Sequence, residues 1–496
     1  MLRPDSAKPF RLWLSLICLA GVPRILCAFL LPNAFGDAYA YIRDIATMSA
    51  EIRGGELQLT DLYGFWLPLY QLICAGLSAV VGHPFYVGKV VSALFGTGIC
   101  LLVYDAAFRL TGRCGLAWLA FALVALSPLH IFNSASAMTD VPHAFFVVAS
   151  ACFVLRKRWL LAAVFAALAG LTRVDSWMLI LLIPAIQFVE ERRVSVASIS
   201  IMLLPPLFWF YVSWKAAGDW LACFTERRQY MDWLLTVNPS LASFSLYGIA
   251  RDLGALLLST DLSVLLACLF AAWATFRPKL LSDIEPDVKS HRAVWRVNLF
   301  FLAFLSFIAL AYLTHKQPII FPRYGLILFV LGAPVLPWAY LHAVRRSSRP
   351  AARSRLLAAI IALSLLNAGA QLAYSIGYIN RELAHGAIAG YLRSQLRPGA
   401  KIFNDDGTIL ALSEIPPENF YSSTDAPTER EEFLDYLREK NVEYLVYVHG
   451  QATTPAKLFP ELQHGSGNEI FQPVMHAGSS FLHAEIWLYK VSHSQN

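Results

Sequence analysis

Residues 66–82 read WLPLYQLICAGLSAVVG, 17 residues without a charge. The reading of this run decides the topology, because every later basic turn changes side with it. A membrane span needs about 17–25 apolar residues, so the run stands at the short end. Trp66 and Tyr70, with Pro68 between them, give its start the character of a membrane–water interface. Eleven further apolar runs lie near 12–32, 86–108, 113–131, 141–155, 158–170, 177–189, 196–214, 254–276, 296–314, 323–343 and 355–377. Basic residues favour the cytoplasmic side. Arg3, Lys8 and Arg11 therefore put the N-terminus inside. If 66–82 crossed, Arg156-Lys157-Arg158, Arg192-Arg193 and the Arg345, Arg346, Arg349, Arg353, Arg355 cluster would all face out. If it lies in the interface, these turns are cytoplasmic, together with Arg109/Arg113 and Arg277, Lys279, Lys289, Arg292 and Arg296. The second choice satisfies every short loop and predicts eleven spans, N-terminus in and C-terminus out.

Composition agrees with this class. Of 496 residues, 57% are apolar and only 15% charged, where soluble domains carry about 25% charge; the mean hydropathy is +0.52. That excludes an ordinary cytosolic enzyme, a disordered chain and a nucleic-acid binder. The net charge of +6 does not call for a polyanionic partner. All eight cysteines precede residue 269, mostly in apolar runs, so no disulfide framework is expected in the tail. No CxxC or HExxH spacing points to a metal. The N-terminal run extends to Pro32 without a clear small-residue cleavage site and reads as a first span that stays attached.

The expected fold is a polytopic α-helical membrane domain, residues 1–379, followed by a small extracytoplasmic α/β domain, residues 380–496. The membrane domain carries a first outer loop at 33–85 and a long one at 215–253. Tyr41, Ile45 and Met48 fall at helical spacing, so 38–53 reads as an amphipathic helix on the membrane surface. In the tail, GAKIF (399–403), NVEYLVYV (441–448) and EIWLYKV (485–491) read as strands. TEREEFLDYLREK (428–440) reads as a helix capped by Thr428.

Ionisable residues gather at the predicted outer ends of spans. Asp37 stands in FGDAYAY, Asp140 in MTDVPH, Arg173 and Asp175 in GLTRVDSW, Arg227 and Arg228 in the long loop, and Lys316 and Arg323 in THKQPIIFPRYG. A phosphodiester calls for cations, Arg as a two-pronged fork and Lys as a point charge. A nucleophilic hydroxyl calls for a carboxylate base. Both together at a membrane surface suit a lipid-phosphate substrate. Plainer roles are available to the same residues: Asp37 as a solvated helix-end acid, Asp140 as a cap for the helix at Val141-Pro142, Arg173 with Asp175 as a loop salt bridge, and Arg227/Arg228 as solvated charges. Arg24, inside the first span, would snorkel or pair with an acid. His130 and His143 read as packing or hydrogen-bonding residues.

The ordered set GDAYAY, WLPLYQLICAGLSAVVG, LTGRCGLAWLAFALVALSP, MTDVP, GLTRVDSW and PRYG, over residues 12–340, resembles the GT-C superfamily of membrane glycosyltransferases, of the protein O-mannosyltransferase and aminoarabinose-transferase type. The resemblance implies transfer of a sugar from a polyprenyl-phosphate donor to an acceptor glycan, lipid or protein at the outer face of the plasma (inner) membrane. It implies Asp37 as catalytic base and Asp140 as a second acid near the site. Arg173, Asp175, Lys316, Arg323, Arg227 and Arg228 form the candidate donor-phosphate set. Protein mannosyltransferases have Asp-Glu in the first loop, where Ala38 follows Asp37 here. Oligosaccharyltransferases have Asp-x-Asp in the second turn, where Asp140 is the single acid. A divalent ion is the one cofactor left open, with no dedicated ligand set. Two other functions compete. A transporter or flippase for lipid-linked sugars calls for charges deep in spans and paired halves, and neither is evident. A polymerase or ligase of lipid-linked saccharides shares the donor type.

Labelling of single introduced cysteines tests the topology. Impermeant reagent added outside is expected to reach sites beside Gly82 and within 400–450. A protected tail with labelling at 345–355 would contradict eleven spans.

Overall fold

The computed structural model describes residues 7–237, 245–276, 288–317, 319–345, 350–397, 399–449, 453–479 and 484–493. Of the basic turns, Arg3, Arg277, Lys279, Arg346 and Arg349 lie outside the described residues, as does part of the 215–253 loop. The chain forms two compact units: Met1–Leu30, Ile45–Arg227 and Phe244–Ala373 in the first, and Leu31–Asp44, Arg228–Ser243 and Tyr374–Asn496 in the second.

The first unit is helical around a large apolar core. Among the described residues, five helices are long and apolar enough to cross a membrane: Phe10–Leu30, Pro84–Thr111, Val196–Ala217, His291–Leu313 and Ala351–Gln395. Three of the predicted runs form bent helix pairs: Cys114–Ala125 with Pro128–Ser134 at 61°, Leu246–Thr260 with Leu262–Thr275 at 87°, and Pro322–Gly332 with Val335–Val344 at 54°. The 66–82 run forms a helix only over Leu69–Val81. Asp140–Leu155, Trp159–Gly170 and Leu179–Glu191 are short as well.

The bends have local causes, and side chains answer the backbone groups they release. Pro128 has no N–H for the carbonyl of Val124, four residues before it. Arg24 supplies donors: Nη2 to the Val124 carbonyl at 3.1 Å, and Nη1 to those of Ala125 at 3.3 Å and Ala20 at 2.7 Å. Nη2 also lies 2.6 Å from His130 Nδ1; guanidinium only donates, so that nitrogen accepts. Arg24 is fully buried, so it does not snorkel, and among the described residues it meets no acid, contrary to the sequence expectation. Ser127 Oγ accepts from His130 N, starting the next helix, and donates to Gln371 Oε1 at 2.8 Å. At the second bend Asp261 takes a left-handed φ of 66°, and its carboxylate accepts from Ser263 N and Oγ. Asn367 and Gln371 both donate to the Leu258 carbonyl. Gln371 thus joins two helix breaks.

Asp105 accepts from Arg109 and Arg156, and Glu190 pairs with Lys157 and Arg296. Four predicted basic turns therefore meet at one end of the Asp140–Leu155 helix, and Asp140 begins its other end, roughly 24 Å away at 1.5 Å per residue.

The helix Asp37–Gly54 forms as its spacing predicts. Its Tyr41, Ile45 and Met48 are buried within the protein, which corrects the expectation of a stripe facing lipid. In the second unit a five-stranded sheet has the order β2-β1-β3-β5-β4, with β1 Ile402–Phe403, β2 Phe420–Tyr421, β3 Tyr444–Val448, β4 Phe471–Ser479 and β5 Ala484–Val491. β1 pairs in parallel with β2 and β3, whereas β5 runs antiparallel to β3 and β4. The helix Arg430–Glu439 starts after Glu429 without a side-chain cap, so Thr428 is not its cap. Phe433 and Leu437 bury its apolar face.

Candidate active site

In the first unit, the turns MTDVPH, GLTRVDSW and PRYG meet around one cavity. Asp140, His143, Arg173, Asp175, Arg323 and Tyr324 give it polar groups, and the helix before His315 lends an apolar wall with Phe304, Phe307 and Ile308.

Asp140 is the first residue of its helix and Thr139 the cap position, so Asp140 does not cap as the sequence alone allowed. Its Oδ1 instead accepts from Arg173 Nη1 at 3.1 Å. Arg173 Nε lies 3.3 Å from both oxygens of Asp175. The loop salt bridge read from GLTRVDSW is therefore present, and it extends to a second carboxylate. Arg173 is extended at φ −150°, just before the short 3-10 turn Val174–Met178. Trp177 Nε1 donates to the Gly170 carbonyl at 3.0 Å and pins that turn. Gly170 has no room for more: an added Cβ would press on Pro205 and Trp177 at 3.3 Å.

Burial alone would raise the Asp175 carboxyl. The Arg173 charge and hydrogen bond, with His143 nearby, outweigh it and hold the group below the ordinary value of 3.8. His143, one turn after Asp140, places Nε2 at 2.6 Å from Ser176 Oγ and 3.7 Å from Asp175 Oδ1. Its ring meets the edge of Phe304.

Arg323 comes from the short turn Pro322–Gly325. Gly325 is required there, because a Cβ would overlap the Ser259 hydroxyl of the neighbouring Leu246–Thr260 helix. Asp252 of that helix accepts from Ile320 N at 3.4 Å. The Arg323 guanidinium lies 5.4 Å from the Tyr324 ring centre and that of Arg173 5.9 Å from the same ring. Tyr324 thus sits against both cations.

Four sequence candidates, Asp140, Arg173, Asp175 and Arg323, share this cavity. Lys316 is exposed in the preceding turn and is not among the lining residues. Arg227 lies over the Phe65 ring at 5.4 Å. Asp37 and Arg228 belong to the second unit. Asp37 opens its helix, and Arg228 faces Asp232 at 3.7 Å. His143, Ser176 and Tyr324 were not singled out for chemistry; a histidine between apolar residues carries no spacing signal of its own. Among the described residues no three His, Cys, Asp or Glu side chains are grouped to hold a metal.

The family model of the dolichyl-phosphate-mannose-protein mannosyltransferases matches residues 68–184. That stretch holds Asp140, His143, Arg173 and Asp175. ArnT from Cupriavidus metallidurans bound to undecaprenyl phosphate aligns over 97% of this chain and 98% of its own, at 14% identity and TM-score 0.58. Its apo state aligns equally well, over 98% of each chain. The archaeal oligosaccharyltransferase AglB from Archaeoglobus fulgidus, in complex with an inhibitory peptide and a dolichol-phosphate, aligns over 94% of this chain and 79% of its own, at 13% identity and TM-score 0.56. Both solved structures have the GT-C fold. This chain has the GT-C fold. No curated protein sequence matches it. Within the GT-C fold the cavity is built by three turns far apart in sequence, which is why no single motif announced it.

The Arg173–Asp175 contact has a pH signature. A depressed carboxyl contributes stability that is present above the ordinary value and lost as pH falls through its lowered one. Purified Asp175→Asn protein is therefore expected to lose less thermal stability than wild type below about pH 4. Parallel acid limbs would contradict the pairing.

Proposed function

We propose that the chain transfers a sugar from a polyprenyl-phosphate-linked donor to an acceptor hydroxyl at the outer face of the membrane, with Asp37 as general base. The acceptor proton passes to the Asp37 carboxylate as the oxygen bonds to the anomeric carbon. The bond from that carbon to the phosphate oxygen breaks, and its electron pair leaves with the polyprenyl phosphate. Arg173 and Arg323 stabilise the departing charge, and Lys316, Arg227 and Arg228 complete the proposed cation set. Cations fixed before reaction need little reorganisation when charge develops.

The observation that carries the donor part of this reading is the cavity itself. Two guanidiniums meet at the end of the Asp140–Leu155 helix opposite the basic turns, beside an apolar wall fit for a lipid chain. Asp140 and Asp175 serve by orienting Arg173. By the positive-inside rule the basic-turn end is cytoplasmic, which puts the cavity outside. The lipid phosphates named with the ArnT and AglB structures fit this donor chemistry.

Asp37→Asn keeps shape and removes basicity. Loss of a general base costs about 10²–10⁴ in rate, whereas loss of a helix-end acid costs about 1 kcal/mol of stability and no chemistry. The purified variant is expected to stay folded, to bind donor, and to transfer sugar at least about a hundredfold more slowly. Near-normal transfer would refute the base assignment.

A further inference from the structure

Residues 31–44 fold into the same unit as the chain from Tyr374 onward, and a buried polar cluster lies against them. Glu382 and His385 stand three residues apart on one face of the Pro350–Gln395 helix. Asp406 and Thr408 come from NDDGT, where Asp406 caps the short helix Gly407–Leu412. Asp406 Oδ1 accepts from the backbone N–H groups of Thr408 and Ile409 at 2.9 and 3.0 Å. Asn404 braces the turn, its Oδ1 accepting from Asp406 N and its Nδ2 donating to the Asp406 carbonyl. The other Asp406 oxygen lies 3.2 Å from His385 Nε2, and His385 Nδ1 lies 3.8 Å from Glu382 Oε1. Thr408 Oγ1 donates to Glu382 Oε2 at 3.0 Å. All four side chains are buried.

The first loop rests on this cluster. A Cβ added at Gly36 would touch Thr408 Oγ1 at 3.6 Å, and one at Gly407 would touch the Gly36 carbonyl at 3.7 Å. Phe35 packs on Tyr378 with ring centres 4.9 Å apart. Ala38 N donates to the Phe35 carbonyl and Tyr39 N to that of Gly36, forming the turn that contains Asp37. The buried Tyr39 phenol hydrogen-bonds with Asn33 and lies in the fields of Glu382 and Asp406, which with burial keep it protonated. Apolar residues would cover a loop at lower desolvation cost. A buried acid–imidazole–acid set costs more and adds directional hydrogen bonds.

We propose that Glu382, His385, Asp406 and Thr408 are positioning residues, a seat that holds the Gly36–Tyr39 turn and thereby orients the Asp37 carboxylate toward the acceptor hydroxyl. The inference rests on Asp37 being the general base. The seat is proton-linked. Burial, and then the Asp406 charge, push the Glu382 carboxyl up to about 8, and burial lowers the His385 imidazole. The groups facing Glu382 are Arg381 and His385 on its own helix, Asp406 and Thr408 from the NDDGT turn, and Tyr39 from the Asp37–Gly54 helix. A raised carboxyl favours the closed seat at low pH. That preference declines as pH rises from the ordinary 4.5 towards about 8.

The test combines hydrogen exchange over residues 33–41 with donor kinetics of the purified full chain. Thr408→Val is expected to lower amide protection of the segment and to cut kcat at least about tenfold while the donor KM stays nearly constant, the pattern of lost transition-state geometry rather than lost binding. Thr408→Ser should restore both. Protection in wild type should fall between pH 5.5 and 8, and in Glu382→Gln it should not. A Thr408→Val protein with unchanged protection overturns the seat. Lost protection with unchanged kcat overturns its role in positioning. Asp37→Asn separates the two readings: if it keeps transfer, the base assignment fails, while the exchange data still judge the seat.

Discussion

The Arg173 guanidinium, held between two carboxylates, is the interaction on which the rest of the cavity depends. Asp140 starts one helix and Asp175 lies in a short turn after another. Without a cation between them, two acids in this partly buried place would repel each other and lose solvent at once. With it, both turns are fixed, and Tyr324 brings Arg323 to the same ring. Charge is thus organised before any ligand arrives, as the proposed donor chemistry calls for.

The same economy governs the backbone. Broken helices leave carbonyls and N–H groups that lipid cannot satisfy. Arg24 answers the break before Pro128, Gln371 donates to the Leu258 carbonyl at the second break while its oxygen accepts from the Ser127 hydroxyl at the first, and Asp261 caps its own helix. An arginine inside an apolar span is, in this chain, a structural donor to carbonyls. Its charge is spread over three carbonyls and one imidazole nitrogen rather than matched by an acid.

Much of the helical architecture was legible in the sequence, because apolar runs report burial directly. The bends were not. Ser127-Pro128 carries a readable helix start, yet the carbonyls left open before it are met by Arg24, a hundred residues away. In the tail, β3 and β5 follow from their β-branched and aromatic runs. β4 did not, because Pro473 and Gly478 sit in it; it lies at the sheet edge, where both are tolerated. Of the cavity, the charged members Asp140, Arg173, Asp175 and Arg323 stood out as ionisable residues at span ends. His143 and Tyr324 did not, since an aromatic or histidine in such company reads as packing. The stripe of Tyr41, Ile45 and Met48 was seen, but periodicity cannot tell protein from lipid as the medium that buries it.

The measurement that bears most directly on the account is the affinity of purified protein for polyprenyl phosphate, by titration in detergent, compared with Arg323→Gln. If Arg323 meets the phosphate in a partly desolvated cavity, its loss should cost about 2 kcal/mol or more, roughly a thirtyfold weaker affinity, with the fold intact. Equal affinity of the two proteins would place the phosphate elsewhere and contradict the account.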